Sequence, residues 1–238
     1  MPSLAPRIVV LTGAGVSAES GVPTFRGADG LWEGHRVGDL ATPEAFEANP
    51  DLVHHFYNQR RAAILTKEPN AAHQALARLE ACLAGRFLLV TQNVDDLHDR
   101  AGSRPLHMHG ELRKARCDHC GAVVAWDGDL GRETPCPQCR RPGGMRPHIV
   151  WFGEMPFHMD EIQAAIGQCD VFAAIGTSSL VYPAAGFADL ARECGARCIE
   201  FNLEPTDRTG VFHEHRSGPA GTTVPAWVEE VLAAESRQ

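Results

Sequence analysis

A glycine-rich turn between a short apolar run and a polar segment constrains the fold of this chain more than any other feature. Residues 7–12 read Arg-Ile-Val-Val-Leu-Thr, which is typical of a buried strand, and Gly13, Gly15 and Ala18 follow in the order G-x-G-x-x-A. Glycine lets a backbone approach a phosphate, whose charge is met by amide groups at a helix N-terminus. The pattern predicts a strand, turn and helix that bind a dinucleotide, although such glycines can also serve packing alone.

The rest of the chain continues this alternation of strands and helices. Apolar runs predict strands at residues 86–92, 170–176 and 197–202, and helical patterns lie at 70–84, 183–195 and 225–236. Strands that alternate with helices indicate an α/β fold, a Rossmann-like parallel sheet with helices on both faces. Glu33 and Asp39 lie about 20 positions after the turn but not at the end of a strand, which excludes a standard dehydrogenase half-site.

Two segments interrupt the alternation. Residues 43–67 look helical throughout, with apolar residues near a period of 3.6, and residues 113–146 have little periodicity. We therefore expect a single domain over residues 1–238 with a Rossmann-like core, a helical insertion and a smaller zinc-ribbon module. Their expected bounds are about 1–35, 70–112 and 147–238 for the core, about 36–69 for the insertion and about 113–146 for the module.

Four of the eight cysteines form two C-x-x-C pairs. Cys117-Asp-His-Cys120 and Cys136-Pro-Gln-Cys139 are separated by 15 residues, the spacing of a zinc ribbon, and this pairing disfavours a redox role. Four thiolates fill the coordination sphere of zinc, so we expect one structural Zn²⁺ rather than a catalytic one. The other cysteines are expected to be reduced core residues: Cys82, Cys169, Cys194 and Cys198.

Composition limits the partners of the chain. The net charge is −8, which argues against general affinity for nucleic acid or anionic lipid. Basic residues near the paired cysteines are expected to form a solvated face that balances the negative charge of the zinc–thiolate centre. They are Arg113, Lys114, Arg116, Arg132, Arg140 and Arg141. No apolar run approaches the roughly 20 residues of a membrane-spanning helix, and Met1–Pro6 does not resemble a secretory signal. We expect a cytoplasmic monomer without nucleic-acid or membrane partners.

Residues 13–26, Gly-Ala-Gly-Val-Ser-Ala-Glu-Ser-Gly-Val-Pro-Thr-Phe-Arg, closely resemble the NAD-binding signature of the sirtuin family. Further matching motifs follow in the family's order: Thr91-Gln-Asn-Val-Asp95, His109-Gly110, the paired cysteines, Val150-Trp-Phe-Gly-Glu154, Gly176-Thr-Ser178 and Asn202-Leu-Glu204. The resemblance covers nearly the whole chain. It implies a single sirtuin catalytic domain that consumes NAD to remove acyl groups from lysine side chains, with acylated-lysine proteins or peptides as partners.

The resemblance also implies roles for individual residues. His109 would be the general base that deprotonates a ribose hydroxyl, while the residues alone leave His107 open as well, because it lies two positions earlier on an extended strand. Substrate backbone would pair with an extended segment that includes Val150, Phe152, Gly153 and Glu154. NAD would contact Gly13, Ala14, Gly15, Ala18, Phe25, Arg26, Trp32, Gln92, Asn93, Asp95, Gly176, Thr177, Ser178, Asn202, Leu203, Glu204 and Ala220.

Tyr57 and Arg60 indicate which acyl group is removed. They are three residues apart and so share a helix face. Without further information, the simpler interpretation of such a pair is a core aromatic residue beside a solvated arginine. In class III sirtuins a Y-x-x-R motif at this place reads the carboxylate of an acidic acyl group, and Ala28 would leave room for a longer chain. The resemblance therefore predicts removal of succinyl or malonyl groups, and weaker removal of acetyl groups, with O-acyl-ADP-ribose, nicotinamide and free lysine as products.

Two other functions remain open at the level of sequence. A mono-ADP-ribosyltransferase would break the same bond of NAD but transfer ADP-ribose to protein. A non-catalytic sensor would bind NAD or ADP-ribose and use the zinc ribbon for partners, but the set of Arg26, Asn93, Asp95 and His109 disfavours it.

Overall fold

The structure, a computed structural model, describes residues 6–24, 31–32 and 35–237. The strands in chain order are β1 (Ile8–Thr12), β2 (Leu31–Trp32), β3 (His35–Arg36), β4 (Phe87–Thr91), β5 (Leu106–His107), β6 (Gly110–Cys117), β7 (Val123–Ala125), β8 (Met145–Ile149), β9 (Val171–Ile175), β10 (Arg197–Asn202) and β11 (Glu214–Ser217). The α-helices are α1 (Pro43–Ala48), α2 (Pro50–Ile64), α3 (Ala71–Leu83), α4 (Leu97–Arg100), α5 (Met159–Ile166), α6 (Phe187–Glu193) and α7 (Ala220–Glu235). Short 3-10 helices span Ala14–Ser20, Val37–Asp39, Ala184–Gly186 and Thr209–Val211.

The central sheet is parallel, as the alternating pattern predicts. Within the described residues its strand order is β11-β10-β9-β1-β4-β5, with β1 flanked by β4 on one side and β9 on the other. The chain leaves β1 towards β4 and later returns past β1 to β9. Connections that leave in opposite directions open a crevice at the carboxyl ends of the strands. In this sheet the crevice lies beside Thr12, Thr91 and Ile175, the last residues of those three strands.

Helices cover both faces of the sheet. Side chains alternate in direction along each strand, so each strand contributes to a core on either face. Val10 faces α3 and α7, where it shares a buried core with Leu76 and Trp227. Val9 faces α5 and α6, where it shares a second core with Phe187. The predicted fold class is therefore confirmed.

The segment before α3 forms two helices, whereas the pattern predicts one helix over residues 43–67. Asn49 ends α1, and its side-chain oxygen accepts a hydrogen bond from Leu52 N at 3.1 Å, so it also caps α2. Pro50 fits the first turn of α2 but cannot continue α1. The apolar period runs through the break because both helices pack against one core, which contains Phe56, Leu112 and Ile149.

The last helix also differs from its prediction, since α7 begins at Ala220 and contains Pro225 within it. Gly221 N in its first turn donates to Glu19 Oε2 at 2.6 Å. This carboxylate caps the helix from a residue far away in the sequence, so the cap has no local signal. No helix in the described part of the chain combines the length and the apolar character that a membrane crossing requires.

A second, antiparallel sheet in the order β7-β6-β8 carries the paired cysteines. Leu130 and Met145 pack with Cys117 and Cys136 in a small core of their own. The remaining cysteines correct the prediction in part: Cys169 and Cys198 are buried, but Cys82 and Cys194 are exposed. Both exposed residues lie at or near the carboxyl end of a helix, Cys82 in α3 and Cys194 just after α6.

Candidate functional site

A cleft of about 770 Å³ lies at the carboxyl ends of the central strands. It brings together nearly all of the residues that the sequence singles out for nucleotide and substrate binding. The predicted residues that line it are Gly13, Ala14, Gly15, Ala18, Tyr57, Arg60, Gln92, Asn93, Asp95, His109, Val150, Phe152, Gly153, Glu154, Gly176, Thr177, Ser178, Asn202, Leu203, Glu204 and Ala220. Phe25, Arg26 and Ala28 lie outside the described residues, and of Trp32 only the backbone, in β2, is described.

The glycine turn packs against a second loop of the cleft. A Cβ atom on Gly13 would lie 2.8 Å from Gly176 O, and one on Gly15 would lie 2.6 Å from Gly176 Cα. Gly15 N also donates a hydrogen bond to Gly176 O at 2.8 Å. These glycines are therefore required by contact between two backbone segments, whether or not a phosphate approaches them. The helix that follows is a 3-10 helix, Ala14–Ser20.

Ser17, one turn further on, is the centre of a buried hydrogen-bond network. Its hydroxyl donates to Asp95 Oδ2 at 3.1 Å and accepts from Asn93 Nδ2 at 3.1 Å. His73 Nδ1 accepts from Asn70 N at 3.2 Å, so His73 Nε2 carries the proton and donates to Ser17 Oγ at 3.3 Å. A serine hydroxyl offers one donor and two lone pairs. All three are used here, which holds Asn93 and Asp95 in place.

A second part of the network joins the ends of β1 and β4. Thr12 Oγ1 donates to Thr91 Oγ1 at 2.9 Å and accepts from His98 Nε2 at 3.0 Å. The His98 ring lies edge-on to the His73 ring, with centroids 4.7 Å apart. Burial lowers the pKa of His73 to about 4 and that of His98 well below its usual value. Both imidazoles are therefore neutral near pH 7.

Sequence reasoning did not single out Ser17, His73 or His98. Ser17 stands inside the glycine signature, and His73 is the third residue of α3, where it completes a capping box with Asn70. The glycine signature and the capping box are local patterns from which Ser17 and His73 could have been predicted. Among twelve histidines, however, a local pattern does not reveal which rings meet behind a cleft.

The two histidines at the start of the zinc module have different surroundings. His109 lines the cleft, and its Nδ1 donates to Gln92 O at 3.1 Å, which leaves the Nε2 lone pair as the basic atom. Burial lowers the pKa of His109. His107 lies outside the cleft, and its Nε2 pairs with Asp99 Oδ2 at 3.0 Å. Burial alone would lower the pKa of His107, but this pairing raises it. The geometry therefore gives His109 the free basic nitrogen in the cleft.

The loops after β9 and β10 are held together at the other end of the cleft. Asn202 Nδ2 donates to Thr177 O at 3.0 Å and to Glu200 Oε1 at 3.1 Å. Glu200 is fully buried and also accepts from His215 Nδ1 at 3.0 Å. Because the amide nitrogen of Asn202 is engaged, its side-chain oxygen is the group that remains to accept a hydroxyl of a bound ligand.

Tyr57 and Arg60 both enter the cleft from α2. Tyr57 is fully buried, and its hydroxyl accepts a hydrogen bond from Trp151 Nε1 at 3.0 Å. Burial raises the pKa of Tyr57 to about 12, so the phenol stays protonated and can donate. Arg60 is 9% exposed, with its guanidinium carbon 5.6 Å from the Phe56 ring centroid. A solvated surface arginine would not be buried in this way.

The segment from Val150 to Glu154 differs from its prediction. Val150 N donates to His109 O at 2.9 Å, but residues 152–154 form a turn in which Glu154 N donates to Trp151 O at 3.0 Å. Burial would raise the pKa of Glu154, but hydrogen bonds from Arg146 and from Trp151 N lower it. The Glu154 carboxylate thus holds this turn closed, so the predicted extended segment does not reach residue 154.

The four paired cysteines fit a zinc ion. Their sulfur atoms lie within 4.8 Å of one another, and the Cys117–Cys139 and Cys120–Cys136 Sγ distances are both 3.8 Å. Sulfur atoms about 2.3 Å from a tetrahedral zinc are about 3.8 Å apart. His119 donates to Pro142 O at 3.1 Å and is not one of the four possible ligands. With every coordination position filled, the ion holds the module together and takes no part in the chemistry of the cleft.

Comparisons with known proteins agree with this geometry. Residues 13–183 match the model of the Sir2 family. An NAD-dependent protein deacylase of Salmonella typhimurium is 56% identical over 230 residues, covering 95% of this chain and 84% of the relative. An NAD-dependent protein deacylase of Bdellovibrio bacteriovorus is 57% identical over 228 residues, covering 94% of this chain and 96% of the relative.

A solved structure of a Sir2 homologue in complex with NAD superposes with a TM-score of 0.86 at 41% identity, covering 95% of this chain and 90% of that one. The likeness extends over nearly the whole chain, not over one motif. On the family match, the identity to these relatives and the shared fold, this chain belongs to the Sir2 family, the sirtuins.

Proposed function

We propose that this protein is an NAD-dependent protein-lysine deacylase that prefers acyl groups ending in a carboxylate, such as succinyl and malonyl. The deacylases that share more than half of its residues support the general activity. The observation that carries the acyl preference is the buried pair of Tyr57 and Arg60 in the cleft.

In this proposal NAD binds along the cleft as co-substrate. The amide oxygen of acyl-lysine attacks the anomeric carbon of the ribose as its bond to nicotinamide breaks, a ribose hydroxyl then attacks the acyl carbon, and water releases free lysine and O-acyl-ADP-ribose. His109 Nε2 takes a proton from a ribose hydroxyl, which requires a neutral imidazole, and its lowered pKa keeps the ring neutral. Asn93 and Asp95, held by Ser17, line the part of the cleft near this histidine. Asn202 accepts from a hydroxyl at the opposite end.

Arg60 and Tyr57 recognise the end of the acyl chain. A guanidinium binds a carboxylate through two parallel hydrogen bonds, and a protonated phenol adds a third donor. Charge-assisted hydrogen bonds of this kind contribute roughly 1.5–3 kcal/mol, or about 10- to 150-fold in preference. An acetyl group offers no carboxylate to either side chain, so acetyl-lysine is the weaker substrate.

The test is the variant Arg60→Met, which keeps much of the side-chain length and removes the charge. We expect kcat/KM for a succinyl-lysine peptide to fall about 10- to 150-fold, while that for the matching acetyl-lysine peptide changes less than about threefold. Gln59→Met is the matched control, because Gln59 is the exposed neighbour on the same helix.

Unchanged succinyl-peptide turnover in Arg60→Met contradicts the acyl preference. Mass spectrometry of the products tests the general activity. O-acyl-ADP-ribose supports deacylation, whereas ADP-ribose attached to protein would identify a mono-ADP-ribosyltransferase instead. His109→Ala should abolish product formation with every peptide.

A further inference from the structure

The helix that carries Tyr57 and Arg60 is attached to the zinc module through two other side chains. Asn58 Nδ2 donates to Leu130 O at 2.8 Å, and Asn58 Oδ1 accepts from Leu130 N at 2.9 Å. These two hydrogen bonds have the pattern that paired residues of neighbouring antiparallel strands exchange. They therefore fix both the distance and the orientation of the Asn58 side chain relative to the Leu130 backbone. Leu130 lies between the two C-x-x-C pairs, in the loop that leads to Cys136.

Arg61 adds a second attachment. Its guanidinium is fully buried, donating through Nε to Leu112 O at 2.7 Å and through Nη1 to Gly128 O at 3.2 Å and Asn58 Oδ1 at 2.9 Å. Leu112 belongs to β6 and Gly128 to the loop of the zinc module. A buried cation that donates to carbonyl oxygens of two other segments orients its helix closely, because Leu112 O and Gly128 O would lose their partner if the helix turned.

The attachment continues to the metal site through packing. Leu130 is 3% exposed and shares a core with Cys117, Cys136 and Met145. Tightly packed side chains transmit displacement, since interiors have few voids to absorb it. A shift of the cysteine core therefore moves Leu130, and through Asn58 it moves α2.

Two sets of side chains on α2 thus make different contacts. Tyr57 and Arg60 line the cleft, whereas Asn58 and Arg61 contact the zinc module. We infer that Asn58 and Arg61 are positioning residues for acyl recognition, through which the zinc module sets the place of Arg60 in the cleft. This inference rests on the proposed acyl preference, and it assigns the structural metal an influence on which acyl group is removed.

The test is Asn58→Ala in the zinc-loaded full chain. We expect KM for a succinyl-lysine peptide to rise about 5- to 10-fold, part of the full effect of the Arg60 contact. KM for NAD and for an acetyl-lysine peptide, and kcat, should stay within about twofold, which loss of folding would not produce. Asn58→Asp keeps the acceptor for Leu130 N and Arg61 but places an oxygen against Leu130 O, so it should recover only part of the lost preference.

Arg132→Gln is the matched control. Arg132 Nε pairs with Asp51 at 3.0 Å and so also links the module to α2, but both side chains are exposed and such pairs contribute little. We expect wild-type kinetics from this variant. Zinc content, measured by elemental analysis, should remain one ion per chain in all of them.

Hydrogen–deuterium exchange gives a readout that does not depend on activity. In Asn58→Ala the amides of α2 should exchange faster, while those of β4, in the central sheet, keep wild-type protection. Unchanged exchange in α2 overturns the inference, as does an equal rise of KM for succinyl and acetyl peptides. If the wild type itself shows no preference for succinyl, the proposed acyl specificity fails, and faster exchange in α2 then still supports the attachment.

Discussion

His107 and His109 are two residues apart, yet their environments shift their pKa values in opposite directions. His107 faces Asp99 and its pKa is raised, while His109 has a backbone carbonyl as partner and its pKa is lowered by burial. The contrast arises because His107 ends β5 whereas His109 lies in the turn between β5 and β6, so the two rings meet different partners. Only the ring of His109 combines a basic nitrogen with access to the cleft.

This difference predicts the pH dependence of catalysis. The neutral imidazole of His109 is the active form, and its pKa is lowered from 6.5, so activity should persist on acidification until the pH falls through that lowered value. A profile of kcat/KM against pH should have an acidic limb with its midpoint below 6.5. His107→Gln should keep this limb. A midpoint above 6.5 that disappears in His107→Gln would instead identify His107 as the base.

At the scale of elements, loops and helix ends position the site. The glycine turn and the loop after β9 touch through backbone atoms, and Glu19 links the 3-10 helix to the start of α7. Helix starts with local caps, such as Asn70 before α3, have a sequence signature. The start of α7 has none, because its cap is 202 residues away in the chain.

The contact between loops predicts the effect of Gly15→Ala. The added Cβ would lie 2.6 Å from Gly176 Cα and 2.9 Å from Gly176 O, and neither backbone atom can move aside freely. We expect a loss of about 1–3 kcal/mol in the free energy of unfolding, together with a higher KM for NAD, measured by urea titration and steady-state kinetics. Gly210→Ala, where nothing lies within 4 Å of the new Cβ, should match the wild type. Wild-type stability of Gly15→Ala would contradict the loop contact.

At the scale of the whole molecule, the central sheet brings distant segments to one edge, and their polar groups are buried there. The Ser17 and Thr12 networks join residues from β1, the 3-10 helix, α3, α4 and the end of β4. Two neutral histidines in this network link the stability of the fold to pH.

The sign of that linkage follows from the two pKa values. Unfolded histidines take up a proton near pH 6.5, whereas folded His73 does so only near 4 and folded His98 only well below 6.5, so the unfolded state binds more protons on the acid side of pH 6.5. Stability is full above pH 6.5 and falls on acidification, by about 1.4 kcal/mol per pH unit for each ring. Urea titrations at several pH values from 7 to about 4.5 give the free energy of unfolding at each pH. This free energy should fall less steeply with decreasing pH in His73→Gln than in the wild type. Equal slopes would contradict neutral burial of His73.

The sequence by itself determined the fold class, and it predicted the four cysteines that fit zinc and many of the residues that line the cleft. The fold class follows from local periodicity and the zinc cysteines from fixed spacing, whereas the cleft residues follow mainly from the resemblance to sirtuins, several of whose motifs lie at strand ends that a parallel sheet brings to one edge. The break at Asn49 was missed because the same apolar period continues through both helices.

Only the tertiary structure decided how those residues are held. It separated His109 from His107, placed His73 and His98 behind the cleft, and turned Val150–Glu154 away from a fully extended strand. It also attached the α2 helix to the zinc module through Asn58 and Arg61. Each of these depends on contacts between segments far apart in the chain, and burial and hydrogen bonding there leave no periodic pattern in the sequence.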